Sequence, residues 1–158
     1  MRALVVALDA WVTEGTEPPP SHYPSVTDGT LVPPEELGFP AIPGVTYTGK
    51  INGLSDRDYT PQPPSAIPGR DYPVLVPTVD SDGNELSGIR SPDIGAPLGT
   101  YMGWNLRGEN YAEGALMLVG SYIPFAATAA ERKKTDDPRL SLEERYANHA
   151  DYVEAVRA

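Results

Sequence analysis

The sequence predicts an α+β, loop-rich fold in which an N-terminal helix, a β-hairpin and a C-terminal helix are joined by long Pro/Gly-rich segments. Three features carry this prediction: helical spacing of apolar residues near the start, an Asp-Gly turn between two apolar runs, and a helix-capping motif near the end. The 158 residues include 18 Pro and 15 Gly, about a fifth of the chain against roughly 12% on average. This excess is below the level typical of disorder, so we expect an ordered chain with a modest core.

The first predicted element is an amphipathic helix over residues 2–13. Four large apolar residues fall on one helical face: Leu4, Leu8, Trp11 and Val12. Gly15 supplies a stop signal, and the three prolines at 18–20 prevent the helix from restarting. A terminal helix with so apolar a face needs another surface to pack on.

The segment 18–72 is dominated by Pro, Gly, Ser, Thr and Asp, which favours loops that wrap over a neighbouring body. Within it, 44–48 and 50–51 could form short strands. The Pro-rich run at 61–64 is consistent with a polyproline ligand, although a rigid spacer is the preferred interpretation. Residues 91–125 are again loop-like, with interspersed aromatic side chains.

A β-hairpin is predicted near 73–90, because apolar residues flank a turn at Asp80–Asn84. The same turn resembles the start of a calcium-binding loop. An EF-hand would then need Gly at position 85 and Glu at position 91, where this chain has Glu85 and Ser91. We therefore favour a turn over a calcium site.

A second helix is predicted near 141–157. Pro138 precedes it, and Ser141 with Glu144 has the spacing of a capping box. No Gly or Pro terminator follows, so this helix is expected to be cut short rather than finished.

Charge and composition exclude several classes of function. The net charge of −10 disfavours nucleic acid and anionic membrane surfaces as partners. The chain has no Cys, so disulfides and thiolate metal sites are excluded, but no compartment is indicated. The apolar start is interrupted by Asp9 and is too short to cross a membrane.

No catalytic, cofactor-binding or metal-binding motif is recognisable. A serine elbow needs Gly on both sides of its Ser, whereas Ser121 has Val119 and Ile123 at those positions. His22 and His149 have no partners at an informative spacing. The chain also lacks a P-loop, a dinucleotide-binding fingerprint and a His-Glu-x-x-His motif. We therefore predict no catalytic residue and no cofactor.

Several stretches nevertheless resemble a known family. Residues 4–19 resemble the last core helix of an α/β hydrolase and the loop after it. Four further stretches resemble the C-terminal region of a large, poorly characterised bacterial family of α/β-hydrolase-domain proteins. They are Val79–Arg90, Pro97–Arg107, Gly120–Phe125 and Ser141–Tyr146.

The resemblance implies that the chain is part of an α/β-hydrolase architecture, with esterase-type ancestry. Residues 1–15 would be the last core helix of the hydrolase domain, and 16–158 a loop-rich C-terminal extension. In the family, the serine elbow and the histidine would lie upstream of Met1, so the chain is expected to be a fragment without the catalytic core. Its partner would be that missing core.

Five residues are expected to serve this arrangement. Leu4, Leu8 and Trp11 would dock the first helix, and Tyr101 and Trp104 would border a pocket. The main alternative is a non-enzymatic acidic module that binds a protein partner through its apolar N-terminal helix. A third possibility is a self-sufficient hydrolase using Ser121 and His149.

Overall fold

The computed structural model describes residues 2–49, 51 and 53–157. These residues form helices and short antiparallel strand pairs joined by long loops, which confirms the α+β, loop-rich class. The α-helices are α1 (Arg2–Glu14), α2 (Pro92–Gly95), α3 (Ala129–Thr135), α4 (Leu142–Arg145) and α5 (His149–Arg157), with a 3-10 turn at Pro34–Glu36. Among the described residues, none of the helices has the length and hydropathy that crossing a bilayer requires.

The strands pair in four two-stranded antiparallel sheets within the described part of the chain: β1 with β4, β2 with β3, β5 with β8, and β6 with β7. Their bounds are β1 (Leu31–Val32), β2 (Ser55–Asp58), β3 (Ser65–Asp71), β4 (Val76–Pro77), β5 (Gly99–Met102), β6 (Asn105–Leu106), β7 (Leu116–Met117) and β8 (Ser121–Pro124).

Helix α1 ends where the sequence signals its stop. Gly15 takes a positive φ of 71°, which glycine adopts without steric cost. Its amide donates to the Trp11 carbonyl at 3.1 Å, and the amide of Thr16 donates to the Ala10 carbonyl at 3.3 Å. None of the described α1 side chains is buried, so the apolar stripe of this helix faces outward.

The hairpin predicted near 73–90 is only partly formed. A single bridge between Val79 and Glu85 closes the turn, while β4 pairs with the distant β1. The reason lies in the turn itself, where the Asp80 carboxylate accepts the amides of Asp82 and Asn84, each at 3.0 Å. Pro77 also has no N–H with which to extend a ladder.

A hairpin occurs instead inside the Pro-rich segment 18–72, for which the sequence predicts loops. Strands β2 and β3 pair there, and the run at 61–64 lies in the loop between them, with a cis Gln62–Pro63 peptide. That run is therefore a hairpin loop rather than a spacer. The predicted strand at 44–48 does not form, and of the predicted 50–51 fragment, position 50 lies outside the described residues.

The predicted C-terminal helix is split into α4 and α5. Ser141 and Glu144 form the expected capping box. The break comes from Asn148, whose side-chain oxygen accepts the amides of Ala150 and Asp151 and so begins a new helix.

The core is small and largely polar. The buried apolar residues among those described are Leu37, Ile42, Ala96 and Phe125. Six polar or charged residues are also buried: Asp82, Asn84, Thr100, Asp137, Arg139 and Ser141. These polar side chains join the 80–84 turn, the β5–β8 pair and the C-terminal helices through hydrogen bonds, so polar contacts rather than apolar layers organise the fold.

Two examples illustrate this polar core. Asn84, with no exposed surface, donates to the Gly99 carbonyl at 3.1 Å and accepts from the Tyr101 amide at 2.8 Å. It thereby fixes the turn to strand β5. Arg145 pairs with the Asp82 carboxylate, and its guanidinium lies 4.1 Å from the centre of the Phe125 ring. This contact ties α4 to the same turn.

Candidate functional site

An apolar groove of about 850 Å³ lies between α1 and two loop segments. Its walls are the outer face of α1, the prolines at 18–20 and the residues at 86 and 88–90, and we call it the α1 groove. All three predicted docking residues line it: Leu4, Leu8 and Trp11. Leu8 is 55% exposed and Trp11 50% exposed, which is unusual for large apolar side chains gathered in one place.

Tyr101 borders a neighbouring cavity of about 280 Å³. That cavity shares Ile89 and Arg90 with the α1 groove. The Tyr101 ring packs 4.9 Å from the ring of Tyr122, and partial burial raises the pKa of the Tyr101 hydroxyl, with a further contribution from Tyr122. The hydroxyl is protonated at neutral pH, as for any tyrosine, and can act as a hydrogen-bond donor.

Arg90 separates the two spaces. Its guanidinium donates to the Asp80 carboxylate at 2.9 Å and to the Ile94 carbonyl at 2.8 Å. These bonds hold Arg90 and the adjacent Ile89 against the 80–84 turn. The wall of the α1 groove is thus braced by the polar core.

Trp104 lies apart from the other predicted site residues. It forms an aromatic cluster with Phe39 and Tyr47, with ring centres 5.7–5.8 Å apart. It lines a separate apolar pocket of about 200 Å³ and a shallower cleft of about 430 Å³ beside Ser121. The five predicted residues therefore divide between the α1 groove, its neighbouring cavity and the Trp104 cluster.

The residues considered for a catalytic triad are not assembled. The Ser121 hydroxyl donates to the Trp104 carbonyl at 3.2 Å, His22 borders the α1 groove, and His149 begins α5 at the surface. Within residues 2–49, 51 and 53–157, no hydrogen bond joins Ser121 to either histidine.

The oxygen atoms of the calcium-like sequence at 80–84 are engaged by protein groups. Asp80 binds backbone amides and Arg90, Asp82 pairs with Arg145, and the Asn84 amide is held by β5. In the part of the chain that the structure describes, no group of three or more His, Cys, Asp or Glu is arranged to hold a metal ion.

Sequence reasoning missed the second wall of the α1 groove. Leu86 and Ile89 fall within the hairpin predicted near 73–90, and the prolines at 18–20 indicate only a helix stop. Ile89 is 79% exposed, so its partner surface is not within the hairpin. The sequence feature that indicates this second wall is the apolar pair at 86 and 89, directly after a polar turn.

Comparison with known proteins identifies the family. The sequence model of the alpha/beta hydrolase domain family matches residues 1–158, so the chain belongs to that family. The predicted family resemblance is thereby confirmed. No match was found among curated proteins or among solved structures.

Proposed function

We propose that this chain is the C-terminal segment of an α/β-hydrolase-like, esterase-type protein and has no catalytic activity alone. In this proposal, α1 is the last helix of the hydrolase core, and the loops after it cover that core. The observation that carries the proposal is the exposed apolar face of α1 in a chain of this family. Six large apolar side chains of α1 are at least half exposed: Leu4, Val5, Val6, Leu8, Trp11 and Val12.

Family membership supports the identity of the partner. An α/β hydrolase is built on a central sheet flanked by helices, and its nucleophile lies on a strand-to-helix turn of that sheet. A helix of such a domain buries its apolar stripe against the sheet. The α1 groove would be that contact face, with Leu8 and Trp11 at its centre.

The chain's own residues would then shape the site rather than perform the chemistry. The cavity at Tyr101 adjoins the α1 groove through Ile89 and Arg90, so it would lie next to the docked core. There the Tyr101 hydroxyl could donate a hydrogen bond to a substrate. Acyl transfer would depend on a serine, a histidine and an acid supplied by the core.

The first test is the turnover of a short-chain activated ester. We expect the purified chain alone to hydrolyse the ester no faster than buffer does. Adding the polypeptide encoded immediately upstream should give turnover if it carries a Gly-x-Ser-x-Gly elbow. Leu8→Ser with Trp11→Ser should weaken the association, whereas Leu118→Ser, at a position that is 90% exposed and outside the groove, should not.

Saturable turnover by the chain alone, lost in Ser121→Ala, would contradict the proposal and favour the self-sufficient hydrolase. The net charge of −10 and the exposed groove also fit a second candidate, a non-enzymatic acidic module that binds a protein through α1. Upstream DNA that encodes no elbow would favour that candidate.

A further inference from the structure

A small apolar pocket that shares no lining residue with the α1 groove is assembled from distant segments. It holds about 200 Å³, and we call it the Trp104 pocket. Its aromatic and aliphatic walls are Leu37, Tyr47, Val76, Trp104, Leu106 and Leu116. The pocket is separate from the α1 groove, so inferences about it do not depend on the proposed function.

Backbone pairing fixes the aliphatic walls. Leu106 and Leu116 are direct cross-strand partners in the β6–β7 pair. Val76 is held opposite Val32 by the β1–β4 pair, and Leu37, only 7% exposed, follows the 3-10 turn. Because these side chains belong to paired strands or, in the case of Leu37, are themselves buried, the pocket is preformed rather than a gap between mobile loops.

The aromatic wall is equally constrained. The Trp104 and Tyr47 rings pack with centres 5.8 Å apart, and the centre of the Phe39 ring lies 5.7 Å from each. The Tyr47 hydroxyl donates to the Pro34 carbonyl at 2.8 Å, which satisfies its polar end outside the pocket. The two rings therefore present apolar surface to the space, with their orientations fixed.

We propose that the Trp104 pocket binds a small, neutral apolar molecule or group about the size of one aromatic ring. An apolar cavity of about 150 Å³ in another protein stays dry and binds benzene, so a volume of about 200 Å³ suits one ring. Of the described residues that line it, Glu85 alone is charged, and it is exposed at the rim. Anions are therefore disfavoured twice, by the carboxylate and by the loss of hydration in an apolar space.

Trp104 itself provides the readout. The chain has two Trp residues, so Trp11→Phe leaves Trp104 as the only tryptophan reporter. The probe is benzyl alcohol, titrated against this full-length variant. We expect a saturable fluorescence change with a Kd of about 1 mM, typical of so small a ligand. Benzoate, which has the same ring with a negative charge, should bind at least about tenfold more weakly.

Filling the pocket should abolish binding. Val76→Phe places a larger side chain at one lining position, and Leu106→Phe is a second variant that does so at another. Each variant should weaken the binding of benzyl alcohol at least about tenfold, because a packed space cannot accept another ring. Val119→Phe, at a position that is 53% exposed and outside the lining, is the matched control and should bind normally.

Trp104 lines both this pocket and the cleft beside Ser121, whereas Val76 lines only the pocket. The Val76→Phe variant therefore tells the two spaces apart. A response that survives Val76→Phe would overturn the proposal even if Leu106→Phe abolishes it, because Leu106 lines the cleft as well. Equal affinity for benzoate or no saturable response would also overturn it. Near-ultraviolet circular dichroism of the same samples reports the packed aromatic cluster. If the Trp11→Phe chain gives no near-ultraviolet signal from this cluster, the proposal is also overturned, because the pocket would not exist in solution.

Discussion

Arg139 is the residue on which the polar core depends most. It is 3% exposed, and its guanidinium makes a two-pronged contact with the Asp137 carboxylate at 3.0 and 2.6 Å. It also donates to the Thr100 hydroxyl at 2.8 Å and to the Ile123 carbonyl at 3.0 Å. Burial alone would raise the pKa of Asp137, but the hydrogen bonds and charge of Arg139 outweigh it and hold that pKa below its ordinary value.

Replacing Arg139 should be costly because it leaves the Asp137 carboxylate buried without its charged partner, held only by the backbone amide of residue 139. We expect Arg139→Met to lower the free energy of unfolding by about 3–5 kcal/mol, measured by urea denaturation. Arg70→Met is the matched control, since Arg70 is 65% exposed and pairs with Asp56 only at 3.4 Å. That variant should lose less than about 1 kcal/mol. Equal losses in the two variants would mean that Arg139 is not the centre of the core.

At the scale of single elements, short local motifs were predictable and pairings were not. The Ser141–Glu144 capping box was found because both partners lie within one turn. The same motif at Thr128 and Glu131 begins α3 and was overlooked, because no clear apolar periodicity follows it. Strands β5 and β8 were missed because each has only four residues, and their pairing depends on contacts about twenty residues apart.

Glu144 also joins two elements, which gives stability a pH dependence. Its carboxylate accepts from Arg132 on α3 at 2.8 and 2.9 Å and from the Ser141 amide at 2.9 Å. The Arg132 hydrogen bonds, followed by those of Ser141, lower the pKa of Glu144 from 4.5 to about 2. A lowered pKa favours the folded state above about pH 4.5, and this contribution disappears as the pH falls towards 2.

We therefore expect Glu144→Gln to remove part of the acid sensitivity of the fold. Between pH 5 and pH 2, the wild-type chain should lose more stability than the variant, measured by urea denaturation at each pH. Glu113→Gln removes one charge from an exposed loop position and serves as control. Parallel pH profiles for wild type and Glu144→Gln would rule out this linkage.

For the whole molecule, the sequence predicted the apolar face of α1 but only part of the groove to which that face belongs. Helical spacing alone brought Leu4, Leu8 and Trp11 together, because that periodicity is local. The opposite wall at Leu86–Arg90 is about eighty residues away, and its position depends on Arg90 and the 80–84 turn. The polar core was also not predicted, since sequence patterns identify apolar faces and not buried hydrogen-bond networks.

The exposed face of α1 should be dispensable for folding of the chain itself. We expect Leu8→Ser with Trp11→Ser to leave the thermal midpoint nearly unchanged and to reduce self-association, measured by circular dichroism and analytical ultracentrifugation. Leu37→Ser, at a position that is 7% exposed, should instead cost about 2–5 kcal/mol. If the double substitution unfolds the chain as Leu37→Ser does, α1 contributes to the chain's own core and the docking proposal fails.

The polar character of the core also has a consequence for the response of the chain to temperature. Exposing apolar surface on unfolding raises the heat capacity, whereas exposing polar surface lowers it. Here unfolding releases Asp82, Asn84, Asp137 and Arg139 into water along with only a few large apolar groups. The two contributions oppose each other, so the curve of stability against temperature should be shallow. Such a chain would gain little from cooling and lose stability only gradually on warming.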